Sequence, residues 1–471
     1  MIKFGTDGWR AVIAKDFTFQ NVAIVTQALV DYLNSQVLTN RTLVVGYDCR
    51  FLSEQFAREV AAQLAANNFQ VLFFDDAVPT PMVSFEVKTE SLAAGIVITA
   101  SHNPPEFNGF KVKASFGGSA PPEMTEQIEA QLNKSTPITT SFTDAVKKGQ
   151  IKALQPSINY GRHIANIVDL ERIKRSNSHL VVDSMHGSGA RWVEHLLSGG
   201  KCNVTTIRAN RDPYFGGVNP EPIRVNLSAL FEAVKQNSAL LGLATDGDAD
   251  RVGAADELGN FMNSHQIVAI LLLHLAKNRA WHGGVAVTFS QSILVKRIAD
   301  HYGLPIHETP IGFKYLAELM LSQDILISGE ESGGIGIKGH IPERDGILNS
   351  LLLAEAIITS EKTPTELLES IWQEFGRFYY DRLDLHIDIN KGKDFVENMR
   401  LSPPPNLAGE KIADIAILDG TKLIFTDGSW LLLRQSGTEP VLRLYCEASS
   451  QAKLEKILAT ASQLANKKKP G

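Results

Sequence analysis

Three aspartates stand at alternate positions in the segment TDGDADR. In an extended or looping segment, Asp246, Asp248 and Asp250 would therefore point to one side. Carboxylates this close repel one another, which raises their pKa values unless a cation neutralises them. Because hard oxygen ligands suit Mg²⁺, the spacing predicts a magnesium site. The alternatives are a solvated acidic turn and an EF-hand loop, and the EF-hand is disfavoured because Arg251 would replace its glycine.

A second chemical candidate is the segment TASHNPPEFNGFKV, which runs from Thr99 to Val112. It places Ser101 beside His102 just after an apolar run, with Lys111 near its end. Ser101 is either a nucleophile or a turn residue that ends a strand. Neighbours on a loop need not face each other, so adjacency does not make His102 the base for Ser101.

Two glycine-containing loops offer contacts for a polyhydroxylated phosphate ester. GEESGG, from Gly329 to Gly334, has acids and a hydroxyl that suit sugar hydroxyls. RQSGTEP, from Arg434 to Pro440, has a guanidinium and hydroxyls that suit a phosphate. In isolation, a flexible acidic loop and a simple turn remain alternative interpretations.

Other nucleotide and hydrolase signatures are missing from the sequence. Gly334, Gly336 and Gly339 match G-x-G-x-x-G, but the strand-turn-helix setting of a dinucleotide site is absent. There is also no Walker A motif, no G-x-S-x-G and no H-E-x-x-H. The four segments together predict phosphoryl transfer on a small polyhydroxylated phosphate ester.

Three blocks of the sequence repeat one order of strands and helices. Their first strands, rich in β-branched residues, are TLVVGYD from Thr42, HLVVDSMHG from His179 and GVAVTFS from Gly284. A helix, a second strand and a third strand follow, and the third strands precede TASHN, TDGDADR and GEESGG. This alternation predicts mainly parallel sheets with helices on both faces. Because such sheets bind ligands at the carboxyl ends of their strands, the three loops are expected to converge on one cleft.

The last part of the chain has a different pattern. After about Gly376, alternating strands, a helix and a terminal helix from Gln451 to Lys467 predict an α+β domain. We therefore predict three similar α/β domains with mixed, mainly parallel sheets plus a C-terminal α+β domain, arranged around a central cleft. The predicted domains are residues 1–150 with the serine loop, 151–260 with the aspartates, 261–374 with the acidic loop and 375–471 with RQSGTEP.

Length, composition and charge exclude several other classes of protein. The 471 residues exceed a single core of roughly 250–300 residues. A net charge of −6 argues against binding of nucleic acid or anionic membranes. The longest apolar runs are shorter than the roughly 20 residues that span a bilayer, and the start of the chain lacks an apolar leader. Cys49, Cys202 and Cys446 are too far apart in sequence to suggest a disulfide framework or a metal site. We expect a soluble cytoplasmic protein.

The ordered motifs carry a resemblance to a known family. TASHNPPEFNGFKV, DGDADR, GEESGG and RQSGTEP resemble motifs of the α-D-phosphohexomutases, the phosphoglucomutases and phosphomannomutases. FGTDGWR, DPYFGGVNPEP and TPIGFK fit the same family, so the resemblance spans nearly the whole chain. It implies that Ser101 carries a phosphoryl group in the active enzyme. It also implies one Mg²⁺ per chain, held by Asp246, Asp248 and Asp250 together with the Ser101 phosphate.

The resemblance assigns roles to further residues. Arg251 would contact the phosphoserine, Lys111 and Arg10 would serve proton transfer and charge balance, and His102 would orient or contact the phosphate. The implied substrate-binding residues are Gly312, Glu330, Ser332 and Arg344 around the sugar, and Arg434, Ser436, Gly437 and Thr438 around the phosphate that is not transferred.

The implied reaction interconverts hexose 1-phosphates and hexose 6-phosphates. The phosphoserine donates to the free hydroxyl, and the bound hexose 1,6-bisphosphate, which also serves as activator, turns over and returns its other phosphate to Ser101. Two alternatives stay open. One is a hexose 1,6-bisphosphate synthase charged by a donor such as fructose 1,6-bisphosphate, and the other is a non-catalytic sugar-phosphate sensor.

Two departures from the family pattern bear on the sugar. Gly334 and Phe313 stand where many bacterial phosphomannomutase/phosphoglucomutases have histidine, which favours glucose over mannose. The expected partners are small-molecule sugar phosphates, with no nucleic acid and no membrane. The oligomeric state, monomer or weak dimer, is left open.

Overall fold

The computed structural model describes residues 2–5, 7–156, 158–437 and 440–466. By their internal contacts they divide into two units. The first unit contains Met1–Gly283 and Gly312–Thr365, and the second contains Gly284–Ile311 and Glu366–Gly471. Among the described residues, no helix is both long enough and apolar enough to cross a membrane.

The strands are mostly short runs rich in β-branched and aromatic residues, as the sequence patterns predict. They are β1 (Trp9–Val12), β2 (Thr42–Tyr47), β3 (Gln70–Phe74), β4 (Ala94–Ile98), β5 (Phe107–Ala114), β6 (Ile151–Leu154), β7 (His179–Asp183), β8 (Asn203–Ile207), β9 (Leu241–Thr245), β10 (Val252–Ala255), β11 (Phe261–Met262), β12 (Gly284–Thr288), β13 (Ile306–Thr309), β14 (Ile325–Gly329), β15 (Ile335–Ile337), β16 (Tyr379–His386), β17 (Asn406–Leu407), β18 (Glu410–Ala416), β19 (Thr421–Phe425), β20 (Trp430–Gln435) and β21 (Val441–Ala448).

Helices separate most of these strands. They are α1 (Phe19–Asn34), α2 (Ser53–Ala66), α3 (Thr80–Thr89), α4 (Pro122–Gln131), α5 (Phe142–Lys147), α6 (Ile158–Ile167), α7 (Leu170–Arg175), α8 (Trp192–Leu196), α9 (Ser228–Gln236), α10 (Ser264–Leu273), α11 (Ile293–His301), α12 (Phe313–Ser322), α13 (Gly346–Ser360), α14 (Pro364–Phe375), α15 (Ile389–Leu401) and α16 (Gln451–Asn466).

The first sheet has the strand order β1-β5-β4-β2-β3-β6. β2 is parallel to both β3 and β4, whereas β5 returns antiparallel to β4. β2 and β4 are almost wholly buried, as expected for parallel strands covered on both faces. Glycines in these strands let α3 approach closely, because a Cβ at Gly46 would lie 2.6 Å from a methyl carbon of Val83. A Cβ at Gly95 would lie equally close to Val87.

The second sheet repeats this arrangement in the order β11-β10-β9-β7-β8. β7 is parallel to both β8 and β9, and β10 returns antiparallel to β9. The third block has the same local pairings, since β12 and β13 are parallel in the second unit and β14 and β15 are antiparallel in the first unit. The predicted α/β repeat with mixed, mainly parallel sheets is confirmed. The boundaries of the four predicted domains stay a prediction.

The C-terminal sheet is antiparallel, with the strand order β16-β21-β20-β19-β18-β17. Its buried face and the apolar face of α16 share one core, to which Leu433, Leu444 and Ile457 belong. The predicted α+β character of this part is therefore confirmed. The terminal helix is described as far as Asn466, and Lys467 lies outside the described residues.

α13 is a central helix of the first unit. It is buried from Gly346 to Ile357 and packs against α7, α8, α10, β9 and β10. Asp345 caps its start, because this side chain accepts from the amides of Ile347 and Leu348 at 3.0 and 2.9 Å. Arg344, directly before the cap, is therefore anchored to the start of a largely buried helix.

Candidate active site

Ser101 lies in the loop that follows β4. Its φ is +52°, in the left-handed region, and its side chain is almost wholly buried. The Ser101 amide donates to Oγ1 of Thr99 at 2.8 Å, and this hydroxyl donates to Oδ2 of Asp48 at 2.6 Å. An uncommon backbone conformation with such local support holds Ser101 in one orientation.

The side chain of Arg50 binds the backbone of the same loop. The buried guanidinium donates at 2.6 to 3.0 Å to the carbonyl oxygens of Ser101, Asn103, Pro104 and Phe107. Its Nε lies 3.2 Å from Oδ2 of Asp48. Since four carbonyls converge on one rigid cation, the serine loop is fixed before any ligand arrives.

The Ser101 hydroxyl faces the aspartate segment. Its Oγ donates to Oδ2 of Asp246 at 2.7 Å and lies 3.3 Å from Nδ1 of His102. Burial, followed by the cations Arg251 and Arg10, holds the pKa of His102 well below its ordinary value. A neutral imidazole at this distance suits an orienting contact, and Asp246 is the closer partner of the serine.

The three aspartates form one buried cluster. Each offers an oxygen atom, and these atoms lie within 4.8 Å of one another. The amides of Asp250 and Arg251 donate to Oδ1 of Asp246 at 2.9 and 3.1 Å, which curls the segment around this carboxylate. Among the described residues, Oδ1 of Asp248 and Oδ1 of Asp250 are buried without a hydrogen-bond partner. Because a buried carboxylate oxygen without a partner is costly, these residues fit a hard divalent cation such as Mg²⁺.

The pKa values of Asp246 and Asp248 shift in opposite directions. Burial, followed by the charges of Asp250 and Asp248, raises the pKa of Asp246 well above its ordinary value. Burial acts in the same direction on Asp248, but Lys111 and a hydrogen bond from Thr80 outweigh it and lower the pKa of Asp248. Oγ1 of Thr80 donates to Oδ2 of Asp248 at 2.5 Å. A bound cation would relieve the repulsion that acts on Asp246.

Lys111 is a buried cation of the cluster. Its Nζ lies 2.8 Å from Oδ2 of Asp7, 2.8 Å from Oδ2 of Asp248 and 3.1 Å from Oδ2 of Asp250. Burial alone would lower the pKa of Lys111, but the three carboxylates outweigh burial and raise it above its ordinary value. In this arrangement Lys111 suits charge balance better than proton transfer.

Arg344 connects the aspartate cluster to the acidic loop. Its Nη2 donates to Oδ2 of Asp7 and to Oδ2 of Asp250, both at 2.8 Å. Its Nη1 lies 3.6 Å from Oε2 of Glu330. Burial raises the pKa of Glu330, and the charge of Arg344 opposes that rise.

The acidic loop is joined to the aspartate segment through backbone. The Val252 amide donates to the Gly333 carbonyl at 3.1 Å, and Arg251 and Gly334 form a β-bridge. Within the loop, Oγ of Ser332 lies 3.4 Å from Oε2 of Glu330. The loops after β4, β9 and β14 therefore meet at one place.

Both departures from the family pattern contact the same arginine. The guanidinium carbon of Arg344 lies 5.4 Å from the ring centre of Phe313. A Cβ at Gly334 would collide with the Arg344 side chain and lie 3.1 Å from Oε2 of Glu330. Arg344 therefore occupies the space that a side chain at position 334 would need.

The remaining predicted residues in the first unit are placed as follows. Nη1 of Arg10 donates to Oδ1 of Asn103 at 2.6 Å. Nη1 of Arg251 lies 3.6 Å from Oε1 of Glu221. Gly312 precedes α12 with a φ of +137°, a conformation that favours glycine.

The predicted phosphate loop belongs to the second unit. Nε of Arg434 lies 3.0 Å from Oδ2 of Asp419. Ser436 is buried and its amide donates to the Val441 carbonyl at 2.9 Å, and Gly437 is exposed. Thr438 lies outside the described residues, and the phosphate-binding role of this loop stays a prediction.

Sequence reasoning missed Asp7, Arg50 and Thr80. Asp7 stands in FGTDGWR, three residues before Arg10, so the motif itself carried a signal. An arginine three residues after a buried strand was a weaker signal for Arg50. Thr80 is part of an ordinary helix start, and no local pattern predicts its hydrogen bond to Asp248.

Family models match the chain along most of its length. The phosphoglucomutase/phosphomannomutase models for α/β/α domains I, II and III match residues 1–139, 159–259 and 263–375. The model for the C-terminal domain of the same family matches residues 398–463.

Individual relatives agree with the models. A phosphoglucomutase/phosphomannomutase of Thermococcus kodakarensis is 30% identical over 462 residues, which cover 98% of each chain. A phosphoglucomutase of Komagataeibacter xylinus is 29% identical and covers 98% of this chain and 90% of its own. A phosphoglucosamine mutase of Carboxydothermus hydrogenoformans is 30% identical and covers 97% of each chain.

Solved structures share the fold. A protein of Thermus thermophilus, provisionally described as a phosphomannomutase, has a TM-score of 0.87 at 33% identity and covers 99% of each chain. The N-acetylphosphoglucosamine mutase of Aspergillus fumigatus, in complex with GlcNAc-6P and magnesium, has a TM-score of 0.59 at 14% identity over 99% of this chain and 95% of its own. The matched family models and relatives define a class of enzyme, the intramolecular phosphotransferases that act on sugar phosphates. The chain belongs to the phosphoglucomutase/phosphomannomutase family, the phosphohexomutases.

Proposed function

We propose that the protein interconverts hexose 1-phosphate and hexose 6-phosphate through a phosphoserine at Ser101, with glucose preferred over mannose. The observation that carries the proposal is the contact of the buried Ser101 hydroxyl with Asp246, within a cluster of three buried aspartates. A serine held there can accept and donate a phosphoryl group next to a divalent cation.

The residues around the serine have separate tasks in this proposal. Asp246, Asp248 and Asp250 would hold Mg²⁺, which would neutralise charge on the phosphoryl oxygens. Arg50 keeps the serine loop in place, and Lys111 balances the carboxylates. The distant Aspergillus fumigatus relative has magnesium in its complex, which supports this choice of ion.

The sugar contacts come from the acidic loop and from the start of α13. Glu330 and Ser332 take the sugar 3- and 4-hydroxyls, and Arg344 and Gly312 complete the site around the ring. Arg434, Ser436, Gly437 and Thr438 take the phosphate that is not transferred. The reaction passes through a hexose 1,6-bisphosphate that turns over, so the sugar contacts must accept either orientation.

Product analysis tests the proposal. The phosphorylated protein is incubated with glucose 1-phosphate and Mg²⁺, and glucose 6-phosphate and free glucose 1,6-bisphosphate are quantified over time. Catalytic glucose 6-phosphate supports the mutase. Bisphosphate that accumulates only with a bisphosphate donor supports the synthase, and the absence of both products contradicts catalysis.

The same assay addresses the sugar. Mannose 1-phosphate and glucosamine 1-phosphate are compared with glucose 1-phosphate, because a relative of equal identity is named a phosphoglucosamine mutase. The glucose preference rests on Phe313 and Gly334, and a higher kcat/KM for mannose 1-phosphate would contradict it.

Intact-mass analysis tests the phosphoserine. We expect a species heavier by about 80 Da in part of the wild-type protein and its loss in Ser101→Ala. Ser84→Ala, which alters another buried serine hydroxyl of the same unit, serves as the control and should keep the modification. A modification that persists in Ser101→Ala would show that another residue carries the phosphate.

A further inference from the structure

A second group of buried charged side chains, Lys113 and Glu343, lies next to Lys111 and Arg344. Lys113 follows Lys111 by two residues on β5, so both side chains leave the same face of the strand. Nζ of Lys113 lies 2.7 Å from Oε2 of Glu343, and both side chains are wholly buried. Nζ of Lys113 also bonds Oγ of Ser119 at 3.0 Å, and this hydroxyl donates to Oε2 of Glu343 at 2.9 Å.

Glu343 and Ser119 contact Arg344 and Asp7 directly. Oε1 of Glu343 accepts from the Arg344 amide at 3.1 Å and lies 3.5 Å from Nε of Arg344. Oγ of Ser119 also lies 2.9 Å from Oδ1 of Asp7, while Oδ2 of Asp7 contacts Lys111 and Arg344. The two carboxylates Glu343 and Asp7 therefore fix Arg344 from two sides.

Ion pairs this deeply buried are a poor means of stabilising a fold. Taking two charges out of water costs about as much as their attraction returns, and apolar residues of the same volume often serve as well. The geometry of Lys113 and Glu343 instead fixes the direction of a third charge. Arg344 is that charge, because it lies between Asp250 of the aspartate cluster and Glu330 of the acidic loop.

We propose that Lys113 and Glu343 are positioning residues that hold Arg344 for retention of the hexose 1,6-bisphosphate intermediate. The inference rests on the mutase function proposed above. A fixed cation at the junction of the two loops attracts the intermediate in either orientation. Because the bisphosphate carries about twice the phosphate charge of either substrate, a misplaced Arg344 weakens retention of the intermediate more than binding of the monophosphates.

Each time the intermediate escapes, the enzyme loses one phosphoryl group. The phosphoryl group of Ser101 has moved to the sugar hydroxyl, and the bisphosphate leaves with both phosphates. Ser101 is left as a free hydroxyl, so turnover stops until another sugar bisphosphate returns a phosphoryl group. A poorly retaining variant therefore depends on added bisphosphate, whereas a retaining enzyme does not.

The test measures glucose 1,6-bisphosphate released per glucose 6-phosphate formed. Glu343→Gln keeps the shape of the side chain but replaces one carboxylate oxygen with an NH₂ group. This NH₂ group must then face other donors, either Lys113 and Ser119 or the backbone amide of Arg344. Lys113→Met keeps the stem and removes the charge. We expect the released fraction to rise by about tenfold or more in each variant, because a displaced Arg344 loses charge-assisted attraction for the bisphosphate, which then dissociates faster. Added glucose 1,6-bisphosphate should restore the rate.

Glu355→Gln is the matched control. Glu355 is also a buried glutamate of the first unit, and its Oε1 pairs with His274 at 2.9 Å and Arg279 at 2.6 Å. This variant should lose stability in a similar way and keep the wild-type released fraction. The ratio of two products does not depend on how much of the protein is folded, so it separates positioning from general destabilisation.

The outcomes separate the two proposals. If wild-type protein forms no glucose 6-phosphate, the proposed function fails. If wild-type protein is active and Glu343→Gln and Lys113→Met release no more bisphosphate than Glu355→Gln, the mutase stands and the positioning role is wrong. A double variant, Lys113→Met with Glu343→Gln, should release no more than the worse single variant, because the two residues act as one pair.

Discussion

A single arginine accounts for two features of the sequence that look unrelated. Phe313 and Gly334 are 21 positions apart in the chain, and both contact Arg344. The ring of Phe313 lies against the guanidinium, and the absence of a side chain at Gly334 leaves room for the arginine stem. We interpret Phe313 and Gly334 as one combined feature. Arg344 packs against the ring of Phe313 and fills the space that a side chain at position 334 would need.

Gly334→Ala tests this interpretation. The added methyl group collides with Arg344, so we expect a loss of about 1–3 kcal/mol in unfolding free energy and a several-fold rise in KM for glucose 1-phosphate. Urea unfolding and steady-state kinetics measure the two effects. Gly336→Ala is the control, because its methyl group would meet Met320 and Ser328 instead. Equal KM values for the two variants would contradict the role of Arg344.

The start of α13 is connected to α6 by a series of polar side chains. Oδ2 of Asp345 lies 3.0 Å from Nε2 of His340, and Nδ1 of His340 lies 3.0 Å from Nε2 of His163. The hydroxyl of Tyr160 donates to the same Asp345 oxygen at 2.8 Å. These contacts brace the helix start that carries Arg344.

The position of His163 in this chain of contacts predicts a pH dependence of stability. Burial, followed by the charge of His340, lowers the pKa of His163 to about 4, whereas an unfolded histidine has a pKa of about 6.5. Between these values the unfolded state binds more protons, so stability falls as pH drops from about 6.5 to about 4. His163→Gln should flatten this part of the profile, measured as urea midpoints against pH.

An exposed histidine provides the comparison for this experiment. His282→Gln alters a solvent-exposed side chain and should keep the slope of the wild-type profile. An unchanged slope in His163→Gln would mean that other groups cause the loss of stability in acid.

The predicted site residues divide between the two units of the chain. Ser101, the aspartates, Lys111 and the acidic loop lie in the first unit, and Arg434 with its loop lies in the second. Ligands of the first unit should therefore stabilise one part of the chain more than the other.

Added Mg²⁺ tests that division. Binding to the native cluster stabilises it by about 2.7 kcal/mol at a concentration of 100 Kd. Hydrogen exchange should slow in β4, β9 and the segment of Asp246 to Arg251, with smaller changes in β19 and β20. Asp248→Asn should abolish the effect. Equal protection of β20 and β9 would contradict a site confined to the first unit.

Local patterns were sufficient for the elements and for the candidate residues. Runs such as TLVVGYD and LGLATDG predict buried strands because short apolar runs bounded by turn residues are typical of strands. The repeat of three blocks then predicts the sheets, since strands alternating with helices form parallel crossovers. The alternate spacing of Asp246, Asp248 and Asp250 predicts a cation site because the repulsion is local.

Which distant side chains meet depends on the packing of the whole chain. Asp7 and Lys111 are about a hundred residues apart in sequence, and Lys113 and Glu343 are 230 apart. No local pattern specifies such pairs, because each depends on how separate strands and helix starts pack together. The sequence was sufficient to predict the fold class and the family, and it named the serine and the aspartates as candidates. Only the packed chain determined that Arg344 lies between the aspartate cluster and the acidic loop, held there by buried carboxylates from both sides.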